Sequence, residues 1–185
     1  MDLPQCCSLF LLGKHELPFG LGWGWYQEMD YETGAGLDVS SLKKQSSFET
    51  AVSCISTLLE SLRELLPLEN VFLLSYASGA DVAMEVASRV TFGGCICFRG
   101  GDIREVAAGA GSKKTQVLQL LGKKDGRFPE GRVKSAKDAN VEQVYFDKDG
   151  LMGDSKEEVI ALFKWLAPRL NKRMPKMEKM FGSSK

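Results

Sequence analysis

Val71-Phe72-Leu73-Leu74-Ser75-Tyr76-Ala77-Ser78-Gly79-Ala80-Asp81-Val82-Ala83-Met84 is the stretch whose reading decides the fold. It begins as a short apolar and aromatic run, the pattern of a buried strand. Small residues then crowd together, and Ala80, Ala83, Met84 and Ala87 continue at helical spacing. Ser75 and Gly79 stand two residues on either side of Ala77, so a very tight turn there leaves room for strand and helix to close on each other. A strand, a sharp bend at Ala77 and a helix with a small-residue face are expected.

That bend resembles the nucleophile elbow of the α/β-hydrolase superfamily, in particular its acyl-protein thioesterase and carboxylesterase branch. The branch carries G-F-S-Q-G-G, and this chain reads Ser75-Tyr76-Ala77-Ser78-Gly79-Ala80. The resemblance places the nucleophilic serine on Ala77, whose methyl group cannot attack a carbonyl whatever base stands beside it. A second match runs through Thr115-Gln116-Val117-Leu118-Gln119-Leu120-Leu121-Gly122-Lys123-Lys124-Asp125, against P-I-L-Q-C-H-G-D-x-D, and puts the acid of the triad on Asp125. Residues 147–155 fall where the branch has G-M-x-H-S before its final helix, with Gly153 in place of the histidine. Of the three triad positions, Ala77, Asp125 and Gly153, only the acid is kept, so no catalytic residue is expected. Residues 92–101 resemble the strand A-G-V-I-A-L-S-G, with Arg99 where a serine usually stands.

Upstream, residues 5–12 read as an uninterrupted buried strand closed by Gly13. Phe10-Leu11-Leu12-Gly13 resembles the F-L-H-G oxyanion-loop motif that follows the central strand, and Trp25-Tyr26 resembles the W-F-D before the next helix. The spacing between them is much shorter than in the family, which implies a truncated sheet edge. Placing residues 5–12 on that edge strand is the other reading. The central placement is preferred, because losing an interior strand orphans backbone groups on two neighbours. Glycine and proline in residues 14–26 argue against regular structure there, and residues 31–42 read as a loop. Ser46 with Glu49 matches a capping box, and Phe48, Val52, Ile55, Leu59, Leu62 and Leu66 recur at helical steps before Pro67. Residues 101–114 have the composition of a surface loop. Residues 141–146 alternate as the last strand, and Ser155 with Glu158 caps a helix burying Val159, Leu162, Phe163, Leu166 and Leu170.

Composition narrows the function classes. With 185 residues, 44% hydrophobic and 26% charged, the chain suits one globular α/β domain, residues 1–170, followed by a basic, Met-rich tail of residues 171–185 read as a flexible end. Lys plus Arg and Asp plus Glu both number 24, which disfavours a nucleic-acid binder. Neither G-x-G-x-x-G before a helix nor G-x-x-x-x-G-K-[ST] occurs, so no nucleotide cofactor is expected. A single histidine and five cysteines without a C-x-x-C pair imply no metal site and reduced thiols in a cytoplasmic setting. The apolar run at residues 6–12 is too short to span a membrane.

The remaining chemical candidates have plain structural readings. Asp125 without a histidine to orient is expected to serve a turn or pair with Lys123, Lys124 or Arg127. His15 is expected in solvent or capping a carbonyl, and Cys95 and Cys97 are expected to pack as inert buried thiols. Trp23, Trp25 and Tyr26 either line a pocket mouth or cover the sheet. Gly13, Ser78, Gly79 and Asp125 are the candidate ligand-binding positions, since amides at a helix N-terminus favour an anion. The expected fold is a three-layer αβα sandwich with a mostly parallel sheet of about five strands, as in a truncated α/β hydrolase. The expected function is a catalytically inactive binding or scaffolding protein, with partners at the shortened sheet edge or the tail, or another copy of the chain. The rival is an active serine esterase or acyl thioesterase that uses Ser78 or a cysteine with His15.

Overall fold

The computed structural model describes residues 7–38, 40–100, 115–125, 140–149 and 155–171. Strands β3 (Phe72–Tyr76), β4 (Gly94–Phe98), β5 (Val117–Gly122) and β6 (Val141–Phe146) form a four-stranded sheet in the order β3-β4-β5-β6. Every pairing in it is parallel, with Tyr76 opposite Phe98 and Phe98 opposite Leu120. Two short segments, β1 (His15–Glu16) and β2 (Trp23–Gly24), make a separate antiparallel pair, so the glycine-rich stretch does hold some regular structure.

Three helices among the described residues clothe the sheet. On one face lie α1 (Leu42–Arg63) and α2 (Ser78–Arg89), which bury Val52, Ile55, Leu59, Ala80, Ala83, Val86 and Ala87 against Cys95, Cys97 and Val117. On the other lies α3 (Lys156–Asn171), packing Leu162, Trp165 and Leu166 on Ile96, Phe98, Leu118 and Leu120. Alternate residues of β4 thus serve opposite faces, as the pleat requires, and all five are buried because both faces are covered. The small side chains of α2 bring its axis close to the sheet, as their spacing implied.

Further expectations are corrected. Val159 and Phe163 of α3, expected to be buried, are 38% and 39% exposed. Residues 7–12 form no strand: Leu9 is 67%, Phe10 92% and Leu12 69% exposed, so apolar composition alone did not secure a place in the sheet. Such a run is stable as a strand only where it joins a ladder, and residues 7–12 pair with none of the described strands. The capping box at Ser46 is not a cap either, because α1 already starts at Leu42 with Ser41 before it. Ser47 instead accepts a hydrogen bond from the Gln27 amide at 3.0 Å, and Glu49 reaches across to Arg89 at 2.8 Å. At α3 the box is present: the Glu158 carboxylate accepts from the Ser155 amide at 3.0 Å, and Ser155 Oγ accepts from the Glu158 amide at 3.3 Å. The expected loop at residues 101–114, Gly153 and the tail beyond Asn171 lie outside the described residues.

Candidate functional site

The carboxyl ends of β3, β4 and β5 converge on Ala77, Arg99 and Asp125. Ala77 is the bend itself, with φ 49° and ψ −121°, a conformation that side chains rarely adopt. The chain is held in it from both sides. The Ala77 amide donates to the Phe98 carbonyl at 3.0 Å, and the Ala77 carbonyl accepts from the Ala80 amide at 2.9 Å. Gly100 closes the space behind: a Cβ there would lie 2.7 Å from the Ala77 carbonyl oxygen and collide with the Ala80 methyl. The strained apex therefore persists although its residue has no reactive atom.

Gly79 opens the first turn of α2 beneath the Trp25 indole, with a Cβ at that position 2.9 Å from Trp25 Nε1. The Trp25 amide donates to Ser78 Oγ at 3.4 Å. Gly13 lies against the backbone of Gly24 and Trp25 so closely that a side chain would strike the Gly24 carbonyl. Gly13, Ser78 and Gly79 are thus linked through one residue, Trp25. The next residue, Tyr26, is buried edge-on to Phe48, ring centroids 5.2 Å apart. Its hydroxyl donates to Asp81 at 2.7 Å, and burial together with that carboxylate pushes the phenol far above its ordinary range. Of the two readings for these aromatics, Trp25 and Tyr26 cover the start of α2, while Trp23 is 48% exposed.

Asp125 is 3% exposed, and Arg99, a residue not adjacent in sequence, is one of its partners. Arg99 Nε donates to Asp125 Oδ2 at 2.8 Å, and Lys124 pairs instead with Asp147 at 3.0 Å. Arg99 is a non-glycine residue at φ 50° with Tyr76 as a second side-chain partner, and these partners raise its guanidinium above its ordinary range. Through Oδ2 the carboxylate holds the guanidinium in place with a charge-assisted hydrogen bond. Arg99 is the site residue that sequence reasoning undervalued. The available signal was a charged residue directly after a buried apolar strand, in the place of the family's serine.

The other nucleophile candidates are accounted for. His15 pairs by backbone with Gly24 in β1–β2, and among the described residues its ring makes no hydrogen bond to a serine or cysteine. Cys95 and Cys97 are fully buried with sulfurs 3.5 Å apart, and the hydrogen bond with Cys97, together with burial, raises the Cys95 thiol well above its ordinary range. Among the described residues no group of three acidic, cysteine or histidine side chains could hold a metal, and no helix is long and apolar enough to cross a membrane.

Comparison with known proteins matches no family model and no curated protein sequence. Solved structures do match. A variant of SOBER1 from Arabidopsis thaliana aligns with a TM-score of 0.57 at 21% identity, over 80% of this chain and 82% of that one. The carboxylesterase of Bacillus cereus aligns with a TM-score of 0.60 at 13% identity, over 85% of this chain and 73% of that one. A protein of unknown function from Agrobacterium tumefaciens gives 0.59 at 15% identity, over 85% and 75%. With the parallel sheet, the bend after β3 and helices on both faces, these matches show that the chain shares the fold of these proteins, the α/β-hydrolase fold that the resemblance implied.

Proposed function

We propose that this protein is a non-hydrolytic relative of the carboxylesterases and acyl thioesterases, acting as a binding or scaffolding module in the cytoplasm. One observation carries the reading: the apex of the strained bend is Ala77, held at φ 49° with a methyl group where the chemistry of the resembled branch needs a hydroxyl. Asp125 supports it, since its carboxylate is engaged by Arg99 at 2.8 Å and so is not set to orient a base. The ligand would be a small anion at the carboxyl ends of the strands. The Ser78 and Gly79 amides at the start of α2 and the guanidinium of Arg99 supply donors there, with Asp125 as the group that fixes Arg99. Gly13 contributes shape, through its packing under Trp25.

The test is hydrolysis of short-chain p-nitrophenyl esters and acyl thioesters by the purified protein. The expected result is no turnover that disappears in Ser78→Ala or Asp125→Ala. Ala77→Ser should restore none, because a hydroxyl without a base stays a weak nucleophile. Turnover abolished by either alanine variant, or stoichiometric labelling of one serine by a fluorophosphonate, would instead establish an active esterase with a different catalytic set.

A further inference from the structure

The run Leu17-Pro18-Phe19-Gly20-Leu21-Gly22-Trp23-Gly24-Trp25-Tyr26-Gln27 holds no charged side chain, and its first half forms the tip of the β1–β2 hairpin. Phe19, at the tip, is 99% exposed and Leu21 73%, with Trp23 half-exposed beneath them. Phe19 also has φ 60°, a left-handed conformation that is unfavourable for a side chain. The turn is held in that shape: the Leu17 amide donates to the Gly22 carbonyl at 2.8 Å, and the Leu21 amide to the Pro18 carbonyl at 3.3 Å. Below the tip the hairpin is fixed to the body, with Gly13 against Gly24 and the Trp25 indole on Gly79. A strained backbone thus projects a phenyl ring into water, and no contact of that ring within the chain offsets the strain.

We infer that the hairpin tip inserts into the surface of a lipid bilayer, with Phe19 and Leu21 among the acyl chains and Trp23 at the level of the headgroups. Size favours lipid over a protein partner. A narrow turn bearing Phe19, Leu21 and Trp23 falls well short of the roughly 800 Å² per partner that a specific protein interface buries, whereas a bilayer needs no matching surface. Chemistry agrees: the side chains of residues 17–23 offer no hydrogen-bonding group except the Trp23 indole N–H, and rings with an apolar body and a polar edge collect at the membrane boundary. Depth agrees as well. Glu16, exposed and paired across from Trp23, is the first charged residue below the tip, so burial stops at that pair. From Glu16 to Phe19 the extended chain covers about 10 Å, the depth to which peripheral apolar elements enter the headgroup and acyl boundary. Lys14 and Glu16, both exposed, leave the hairpin's base without a net charge, so insertion should depend little on the charge of the lipid.

Co-sedimentation of the whole chain with vesicles tests this, using phosphatidylcholine alone and phosphatidylcholine mixed with phosphatidylserine, each at low and high salt. The expected result is binding to both, little changed by salt, and weakened about tenfold in Phe19→Ala, the effect of losing one inserted aromatic side chain. Phe19→Gly should bind as poorly while unfolding at no lower urea concentration, because glycine accepts the positive φ; the loss is then not one of folding. Tryptophan emission should shift to the blue with vesicles, and Trp23→Phe should abolish the shift, since Trp165 is buried in the core and Trp25 packs on Gly79. Absence of binding to either vesicle, or binding unchanged in Phe19→Ala, overturns the inference. So does binding to the anionic vesicles alone that is lost at high salt, which would assign it to the basic residues 171–185. A dimer that disappears in Phe19→Ala, without vesicle binding, would put a second copy on the tip in place of lipid.

Discussion

At the scale of single residues, Ala77 and Arg99 share an oddity: both are non-glycine residues with φ near 50°, at 49° and 50°. Such a conformation costs on the order of 1–3 kcal/mol, which surrounding structure must offset. At Ala77 glycine would meet no such penalty, although it would lose more chain entropy on folding, roughly 0.5–1 kcal/mol. Ala77→Gly should therefore stabilise the protein by about 1 kcal/mol in urea unfolding; an unchanged or lower midpoint would mean that the surroundings leave little strain at the apex. Arg99→Ala acts in the other direction, leaving the Asp125 carboxylate buried without its guanidinium. Breaking a buried pair costs about 3–5 kcal/mol, but the Arg99 side chain is 34% exposed and partly screened, so about 2 kcal/mol is expected. Asp125→Asn should cost less, because a neutral amide is cheaper to bury than a carboxylate that has lost its guanidinium partner.

At the scale of elements, the segment from Trp25 to Glu28 is fastened to α2 by the Tyr26 hydroxyl, which donates to Asp81. The fold holds the Tyr26 proton more tightly than the unfolded chain does, so its contribution to stability is fully present below the ordinary phenol range and is lost as pH rises through and above it. Unfolding followed from pH 8 to 11 should show stability falling at the alkaline end, with a shallower fall in Tyr26→Phe; identical slopes would place the phenol in contact with solvent. The same elements show what the sequence made legible. The β3–α2 bend, the α3 capping box and strand β6 could be read because their signals are local, a crowd of small residues, a cap and a period, while β4 and β5 were read through the family resemblance. Residues 7–12 could not, since their apolar run is equally a strand that lacks a neighbour. Arg99 with Asp125 was missed for a related reason, as two residues 26 apart meet only once β4 and β5 are aligned. Asp125 itself was readable as a position, and Arg99 as a partner of it was not.

At the scale of the whole molecule, one sheet carries two hydrophobic clusters on opposite faces, one under α1 and α2 and one under α3. Neither cluster folds without the strands, since the same β4 residues alternate between them. Leu59, 1% exposed in the first cluster, and Leu162, 4% exposed in the second, share no neighbour within a cluster. Truncating either to alanine should cost about 2–4 kcal/mol, the price of lost burial plus a cavity. Because the two sites are separated by the sheet, the effects should add to within about 0.5 kcal/mol. If the sheet makes both faces one cooperative unit, each variant shifts a single transition, and tryptophan fluorescence and far-ultraviolet circular dichroism report the same midpoint. Two transitions, with Leu162→Ala moving only one of them, would instead mean that α3 comes away from a sheet still held by α1 and α2. Stability here is marginal in total, about 5–15 kcal/mol for a chain of this kind, so the Leu59→Ala, Leu162→Ala double variant stands close to unfolding at 37 °C.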